Sequence, residues 1–439
     1  MPGLRASHAS GAHSPVRFAY PHNMTDSDDP HAPPQHLAAY ARVRGLRSPG
    51  REWVKTRHTC RRNAQHHPSS RPSTRQRYPH PSVMSSPIFP RKIPYVRLGQ
   101  SGLKVSRIIL GCMSYGSSEW MNWVLDEEEG IKHIKAAYDA GIQTFDTANV
   151  YSAGLSEVVL GKAIKQHNLP RDEIVVMTKV YALVTRTPGE TSRFQNPNWK
   201  EDENGYVNQH GLSRKHIFES VKHSLERLQL DYIDLLQCHR FDYDTPIAET
   251  MQALHDVVKA GYVRYIGMSS CYAWQFCAMQ SYAIQHGLTP FISMQNHYSL
   301  IYREEEREMM GALKHYGVGS IPWSPLARGL LTRPVDKKSD SSRDTSDPGV
   351  VRFTKAYLGG GGEETIKRVE ELAKKKNCTM AQLSLAWMLH KDIVSAPIIG
   401  TTSLEKLTDL LGALEIKLDV DEMKYLEELY EPKPLLGVM

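Results

Sequence analysis

Four polar residues of complementary chemistry stand at the ends of apolar runs in this sequence. Asp146 and Tyr151 lie five residues apart in the segment QTFDTANVY. Two later runs, EIVVMTK and YIDLLQCH, end on Lys179 and His239. These runs have the length and composition of buried strands. Because the carboxyl ends of parallel strands lie on one face, where ligands bind, we expect the four side chains to converge there.

The chemistry that such a set supports is proton transfer to a carbonyl group that receives a hydride. The reduced carbonyl is an alkoxide, which needs a positioned acid and a hydrogen-bond donor to its oxygen. A phenol with a pKa of about 10 exchanges protons poorly at neutral pH unless a nearby ammonium favours the phenolate. We therefore predict Tyr151 as the proton donor, beside Lys179, with Asp146 holding the ammonium in place. His239 is predicted to donate to the carbonyl oxygen, although a single histidine or lysine at a strand end is more often structural.

The elements that must position these residues form a repeated strand and helix pattern. A hairpin is predicted over YVRLGQSGLKVS, residues 95–106, with its turn at 99–102. Eight apolar runs follow, each succeeded by a helical pattern, the sixth helix being predicted over 303–316. More than 300 residues in this order favour the α/β class and a (β/α)8 TIM barrel over an open sheet. Two long connections, 181–212 and 325–362, are predicted to be lids over the carboxyl face.

The first 92 residues differ in composition from the rest of the chain. They contain 15 Lys or Arg, only 4 Asp or Glu, and 13 of the 26 prolines. We predict a disordered basic leader over residues 1–92 and one folded domain over 93–439. A transit peptide is the alternative, although prolines interrupt any amphipathic helix. A nucleic-acid-binding tail lacks interleaved aromatic residues and is not expected, and a zinc site at His66 and His67 lacks paired ligand spacing.

Cysteine usage and hydropathy indicate the cellular compartment of the protein. The six cysteines show no CxxC pair and no regular spacing, which is typical of reduced thiols in the cytoplasm. No apolar run reaches the roughly 18 residues of a membrane-spanning helix. We therefore predict a cytoplasmic protein with neither a membrane anchor nor a metal site.

Several motifs in fixed order resemble the aldo-keto reductase superfamily. They are FDTANVYSAGLSEVVLGKAI, MTK, LLQCHR, GMSS, MQNHYSL, WSPLARGLL and PIIGTTSLEKL, and the resemblance extends from Tyr95 to about Tyr430. Within the superfamily the chain is most similar to the fungal NADP-dependent type, which is aryl-alcohol dehydrogenase-like and includes versiconal hemiacetal acetate reductases. The resemblance implies a (β/α)8 barrel that reduces aldehydes or ketones with NADPH. It also implies the same four catalytic roles for Asp146, Tyr151, Lys179 and His239.

The resemblance further implies a set of residues that hold the cofactor. Ser269 and Gln295 match the positions that bind the nicotinamide carboxamide. Ser270 stands where many members have asparagine, and a hydroxyl has one donor where an amide has two. Trp323 stands where many members have a tyrosine that stacks on nicotinamide. Residues matching the loop that covers the pyrophosphate are Ser324, Leu326 and Arg328.

A second phosphate site is predicted at the last strand of the barrel. Thr401 and Thr402 precede a helix, and Thr402 with Glu405 has the spacing of a capping box. The free N–H groups and the helix dipole favour an anion there. Lys406 matches a family position that is often basic and contacts the 2′-phosphate, which indicates NADP, although Asp409 brings negative charge close by.

Aromatic residues in two loops indicate the substrate class. Trp120 and Trp123 follow the first strand of the barrel, and Trp199 and Tyr206 lie in the long loop 181–212. Such side chains could form walls around an aromatic or polycyclic carbonyl compound. Exposed loop aromatics also occur without any function, so both interpretations stay open at this point.

Two other functional classes fit the same fold. One is a binding protein without catalysis, like the potassium-channel β subunits, which keep the reductase scaffold. The other is a barrel aldolase in which Lys179 forms a Schiff base with the substrate. Borohydride trapping of substrate on Lys179 indicates the aldolase, whereas dependence on NADPH excludes it.

A chain that starts at Met84 should fold and should reduce aldehydes with the kcat/KM of the full chain. The reason is that residues 1–92 carry no apolar run that could be buried and no predicted site residue. The measurement compares soluble yield and kcat/KM of the two chains, and imaging of both tests targeting separately. An insoluble shortened chain, or one that has lost most of its kcat/KM, would place part of the leader in the folded domain.

Overall fold

The structure is a computed structural model that describes residues 93–437, apart from 191, 193–195, 197, 338–342 and 344–345. The leader predicted over 1–92 therefore lies outside the described residues. The described chain begins with the predicted hairpin, in which β1 (Tyr95–Arg97) pairs antiparallel with β2 (Lys104–Ser106). Val96 lies opposite Val105, as the turn at 99–102 requires.

Eight parallel strands form one curled sheet that closes into a barrel. Two short strands, β4 (Tyr115–Gly116) and β5 (Leu125–Asp126), pair beside it. Closure is seen where Ser320 bridges in parallel to Val394 and the N–H of Ile398 donates to the carbonyl of Pro322 at 2.9 Å. The predicted (β/α)8 barrel is confirmed. The eight strands are β3 (Ile109–Gly111), β6 (Thr144–Asp146), β7 (Val175–Val180), β8 (Ile233–Cys238), β9 (Val263–Ser269), β10 (Ser293–Gln295), β11 (Gly319–Ser320) and β12 (Ile398–Ile399), in the spatial order β11-β10-β9-β8-β7-β6-β3-β12.

Amphipathic helices surround the strands. Helix α3 (Arg214–Leu228) shows this amphipathic pattern, because Ile217 and Val221 are buried on one face. Ser213 caps the helix by accepting the N–H of His216. The helices are α1 (Glu127–Asp139), α2 (Leu155–Gln166), α3 (Arg214–Leu228), α4 (Ile247–Lys259), α5 (Ala273–Gln285), α6 (Met309–Tyr316), α7 (Pro348–Leu358), α8 (Gly362–Lys376), α9 (Met380–Leu389), α10 (Leu404–Leu411) and α11 (Val420–Glu427).

Strand alternation separates the barrel interior from the layer under the helices. In β7, Val175 and Met177 belong to the interior cluster, whereas Val176 and Val180 pack towards the helices. Because side chains alternate along a strand, Lys179 must point into the barrel near its carboxyl end. The interior cluster also contains residues of the hairpin, which fill the amino end of the barrel: Leu98 and Val105.

The sixth predicted helix is broken in the structure. A 3-10 turn over Glu304–Glu306 precedes α6, and Glu308 between them has φ −137°. The Glu304 carboxylate accepts the Tyr430 hydroxyl and the N–H of Lys433, both at 2.7 Å. These contacts with a segment more than a hundred residues away hold the turn, so local sequence pattern could not show the break.

The two long connections contain ordered structure of their own. In 181–212, Tyr206 is buried, donates to Glu190 at 2.6 Å and lies 5.8 Å from the Trp199 ring. The connection 325–362 contains α7, which the sequence analysis missed. The sequence contains a helix-start signal here, an aspartate followed by a proline. In the structure Asp347 caps the helix by accepting the N–H of Gly349, and the proline is the first helical residue.

Three further features concern the described residues only. No helix among them is both long and apolar enough to cross a membrane. No group of three or more histidine, cysteine, aspartate or glutamate side chains is arranged to hold a metal ion in that part of the chain. The five cysteines within it are unpaired thiols.

Candidate active site

The structure brings Asp146, Tyr151, Lys179 and His239 together at the carboxyl ends of β6, β7 and β8. The fully buried Lys179 ammonium donates to Asp146 Oδ2 at 2.6 Å and to the Tyr151 hydroxyl at 3.4 Å. It also donates to the carbonyl of Thr147 at 2.8 Å. The Tyr151 ring meets the His239 ring edge to face, with 5.8 Å between centroids. Groups from three separate segments of the chain thus form one polar cluster.

The loop after β6 is shaped to place Tyr151 over the lysine. Tyr151 opens a 3-10 turn in which Ser152 and Ala153 have left-handed φ values of 50° and 52°. Gly116 of β4 lies against this turn, and a Cβ there would sit 2.3 Å from the Ser152 hydroxyl oxygen. Only glycine fits at this contact, so β4 and the turn support each other.

Burial and charge set the protonation states in opposite ways. Burial raises the pKa of Tyr151, and this effect outweighs the lowering by the Lys179 ammonium. Burial alone would lower the pKa of Lys179, but Asp146 and Tyr151 together raise it, so the ammonium stays charged. Burial, Arg240 and Lys179 hold the pKa of His239 well below its usual range. At neutral pH the cluster therefore contains a protonated phenol, a charged lysine and a neutral imidazole.

Two glutamines complete the shell around Asp146. Gln237 and Gln295 donate their Nε2 groups to Asp146 Oδ1 at 3.0 and 2.9 Å, and Gln295 Nε2 also lies 2.9 Å from Gln237 Oε1. Gln237 was not predicted, although its place two residues after the inward-facing Leu235 on β8 directs it into the barrel. The amide nitrogen of Gln295 therefore faces the aspartate, which leaves its Oε1 for a ligand.

The predicted carboxamide and stacking residues also converge. Ser269 donates to the backbone carbonyl of Gln295 at 2.9 Å, and the Trp323 indole donates to the Ser270 hydroxyl at 3.0 Å. One face of Trp323 stacks on His297, with 4.2 Å between centroids and planes 10° apart. Ser269, Ser270, Gln295 and Trp323 thus lie side by side at the ends of β9, β10 and β11.

The loop after Trp323 has an irregular backbone. Ser324 and Arg328 both have a left-handed φ of 55°, and Leu326 packs against the main core. Arg328 donates to Asp347 at 3.0 Å and lies 4.7 Å over the Phe353 ring, while its Nε has no hydrogen-bond partner among the described residues. The guanidinium is therefore fixed at the start of α7 with one donor unused.

The predicted capping box at α10 is wrong by one residue. Ser403 is the cap and accepts the N–H of Lys406, while Thr401 accepts the N–H of Ser403 at 3.1 Å. Thr402 is exposed, so Thr402 and Glu405 do not form the box. Three hydroxyl residues in a row offer three possible caps, and Ser403 is the one that the helix uses. Lys406 remains exposed in the first turn of the helix.

The carboxylate expected to oppose a phosphate there is engaged elsewhere. Asp409 accepts the Thr379 hydroxyl at 2.9 Å and the Gln382 amide at 3.0 Å. Both donors belong to the start of α9. The negative charge of Asp409 is therefore directed towards α9.

Of the four loop aromatics, two lie beside Tyr151. Trp120 and Trp123 form a small buried cluster with Tyr151, and the Trp120 and Tyr151 ring centroids are 6.2 Å apart. The Arg343 guanidinium lies 4.2 Å over the Trp123 ring. Trp199 and Tyr206 instead pack on each other within their own loop.

The chain belongs to the aldo/keto reductase family, whose sequence pattern matches residues 107–431. It is therefore an oxidoreductase of a family that acts on small carbonyl compounds and generally uses NAD(P)H. A provisionally named aryl-alcohol dehydrogenase of Schizosaccharomyces pombe is 50% identical over 350 residues, covering 78% of this chain and 97% of that protein. The versiconal hemiacetal acetate reductase of Aspergillus parasiticus is 47% identical over 343 residues, covering 78% and 98%. The resemblance drawn from the motifs is confirmed.

Replacing Lys179 should destabilise the fold because it leaves a buried carboxylate unpaired. We expect Lys179→Met to lower the free energy of unfolding in urea by about 3–5 kcal/mol. The double variant Lys179→Met/Asp146→Asn should recover part of this loss, since the amide oxygen still accepts from Gln237 and Gln295 without a charge.

The control is Lys162→Met, which breaks an exposed pair with Glu127 at 2.7 Å and should cost less than about 1 kcal/mol. If Lys179→Met costs no more than this control, the Lys179 ammonium does not stabilise the site.

Proposed function

We propose that this protein is an NADPH-dependent reductase of aldehydes and ketones in which Tyr151 donates the proton. The observation that carries the proposal is the buried Lys179 ammonium bonded to both Asp146 and the Tyr151 hydroxyl, beside a neutral His239. This arrangement holds one phenol proton that can be transferred next to one uncharged donor. Reduction of a carbonyl group needs both at its oxygen.

The protein's own groups handle the oxygen of the substrate. When bound, the nicotinamide supplies a hydride to the carbonyl carbon. The phenol of Tyr151 then gives its proton to the developing alkoxide, and Lys179 stabilises the phenolate that remains. His239, held neutral by burial and two nearby cations, donates to the same oxygen without adding a charge.

The residues present fit a nicotinamide dinucleotide. Gln295 Oε1 and the hydroxyls of Ser269 and Ser270 could bind the carboxamide, and the face of Trp323 away from His297 could stack on the ring. In the loop after Trp323, the unpartnered Nε of Arg328 suits a pyrophosphate oxygen. Ser324 and Leu326 complete that loop.

The start of α10 suits the 2′-phosphate that distinguishes NADPH from NADH. Lys406 is exposed in the first turn, where unpaired backbone N–H groups and the helix dipole favour an anion. Thr402 precedes the cap and adds an exposed hydroxyl group, whereas the Thr401 hydroxyl is bonded to the carbonyl and the N–H of Ser403. Asp409 is turned towards α9, which lowers its opposition to a phosphate.

The substrate is proposed to be an aromatic or polycyclic carbonyl compound. Trp120 and Trp123 lie beside the Tyr151 ring and provide flat apolar surface next to the proton donor. The names of two relatives, an aryl-alcohol dehydrogenase and a versiconal hemiacetal acetate reductase, support the same class.

The assay that tests the proposal follows loss of NADPH absorbance with a panel of aromatic and aliphatic aldehydes. Aldehyde-dependent loss supports reduction. Tight NADPH binding without turnover would instead indicate a binding protein on this fold, like the potassium-channel β subunits.

Tyr151→Phe should abolish carbonyl reduction while leaving the Kd for NADPH nearly unchanged. Only the hydroxyl that donates the proton is lost, and the ring keeps its contacts with Trp120 and His239. The measurement pairs turnover with fluorescence titration of NADPH. Equal turnover in a folded variant would remove Tyr151 from the mechanism.

Lys406→Ala should weaken NADPH more than NADH, because only NADPH carries the 2′-phosphate. A charge-assisted contact is worth about 1–3 kcal/mol, and the exposure of Lys406 favours the lower end. Titration of both cofactors gives the two Kd values. Lys222→Ala on the exposed face of α3 is the control, and equal losses for both cofactors in Lys406→Ala would place the phosphate elsewhere.

A further inference from the structure

Arg240 follows His239 directly and is a half-buried cation to which the proposed chemistry assigns no contact with the substrate. Its Nη1 donates to the backbone carbonyl of His239 at 2.6 Å, and its Nε is buried without a hydrogen-bond partner among the described residues. The titratable groups that act on it most are Tyr151, Tyr181 and Cys271, none of which is a carboxyl group. Among the residues that the structure describes, no carboxylate pairs with the Arg240 guanidinium.

Other arginines with little exposure show what such a group normally requires. Arg171 pairs with Asp234 at 2.6 Å, and Arg227 pairs with the buried Glu157 at 2.7 Å. Removing a guanidinium from water is costly unless a carboxylate or a full set of acceptors replaces the lost hydration. Arg240 has one carbonyl and an unused edge, which indicates that a ligand supplies the missing anion.

The unused edge has a defined shape. Nε and Nη2 lie on one side of a guanidinium, whereas the nitrogen bonded to His239 is Nη1. Two parallel N–H groups on one edge match the two oxygens of a carboxylate. A carboxylate is therefore one of the anions that this geometry fits, and the position of Arg240 next to His239 favours it over a cofactor phosphate.

The position of Arg240 separates it from Lys406, the residue proposed for the 2′-phosphate. Arg240 follows β8, which lies four strands from β12 in either direction around the ring. Lys406 follows β12, and Arg328 follows β11. Arg240 instead neighbours Tyr151 and His239, where the substrate carbonyl is expected.

An aromatic cluster continues outward from Arg240. Phe241 is buried and lies 5.1 Å from Tyr243 and 6.0 Å from Trp274, measured between ring centroids. Tyr243 and Trp274 are 58% and 60% exposed, although both are large aromatic side chains. A cation next to His239, followed directly in the chain by this aromatic cluster, suits an aromatic ring that carries a negative charge.

We infer that Arg240 is a specificity-determining residue that binds the carboxylate of an aromatic carbonyl substrate. The inference rests on the proposed reductase function and specifies its substrate class. Nε and Nη2 hold the carboxylate, while the carbonyl group of the same ring points to Tyr151 and His239.

The test compares 3-formylbenzoate and 4-formylbenzoate with their methyl esters, using NADPH and the full chain. In the unaltered protein, at least one acid should have a higher kcat/KM than its ester. Arg240→Met should lower this acid-to-ester ratio by about 10- to 100-fold, as expected for loss of a charged bidentate contact. Arg240→Lys, which keeps the charge without the planar edge, should give an intermediate acid-to-ester ratio. If the methionine variant does not fold, the lysine variant provides the test.

The control is Arg264→Met, at an exposed arginine near the opposite end of β9 that donates to the carbonyl of Gly261. Its acid-to-ester ratio should equal that of the unaltered protein. An unchanged ratio in Arg240→Met and Arg240→Lys would overturn the inference while leaving the reductase function intact. A rise in the KM for NADPH with an unchanged ratio would assign Arg240 to the cofactor and also overturn it. If the unaltered protein reduced neither the acids nor the esters, the proposed reductase function itself would be contradicted.

Discussion

The fully buried ammonium of Lys179 is the constraint on which the rest of the site depends. An ammonium removed from water needs an acceptor for each of its three protons, and one of these acceptors must be charged. Asp146, the Thr147 carbonyl and the Tyr151 hydroxyl meet this need at 2.6, 2.8 and 3.4 Å. All three belong to the end of β6 and the loop after it. The pairing of β6 with β7, in which Asp146 lies opposite Met177, is therefore tied to the position of Tyr151.

The second carboxylate oxygen of Asp146 extends this constraint across the barrel. Gln237 of β8 and Gln295 of β10 both donate to it, so β6, β8 and β10 meet in one hydrogen-bond network. Gly267 of β9 lies between them, where a Cβ would be 2.2 Å from the Ser293 hydroxyl and 3.3 Å from Gln237. A side chain at this position would collide with Ser293 and press on Gln237. The position of Gln237 in the network thus depends on the absence of a side chain at Gly267.

The sequence predicts the parts of this structure that follow from local pattern. Apolar runs with turn signals predicted the strands. The polar residues at the ends of these runs predicted the polar cluster, because parallel strands share one carboxyl face. The errors arose where several local choices were equivalent or where distant contacts decided. Ser403 was one of three adjacent hydroxyl residues that could cap α10. The break before α6 depends on Tyr430 and Lys433, and the contact of Gln295 with Asp146 depends on the curvature of the whole barrel.

Arg240 and Lys179 are two cations close to His239 that have different surroundings. The Lys179 ammonium has three acceptors at the end of β6 and in the loop after it. Arg240, in contrast, keeps its Nε without a hydrogen-bond partner among the described residues. Both cations hold the pKa of His239 down, so the imidazole stays neutral. An anion bound at Arg240 would offset part of that effect. On the proposed function, a carboxylated substrate at Arg240 would thus raise the proton affinity of His239.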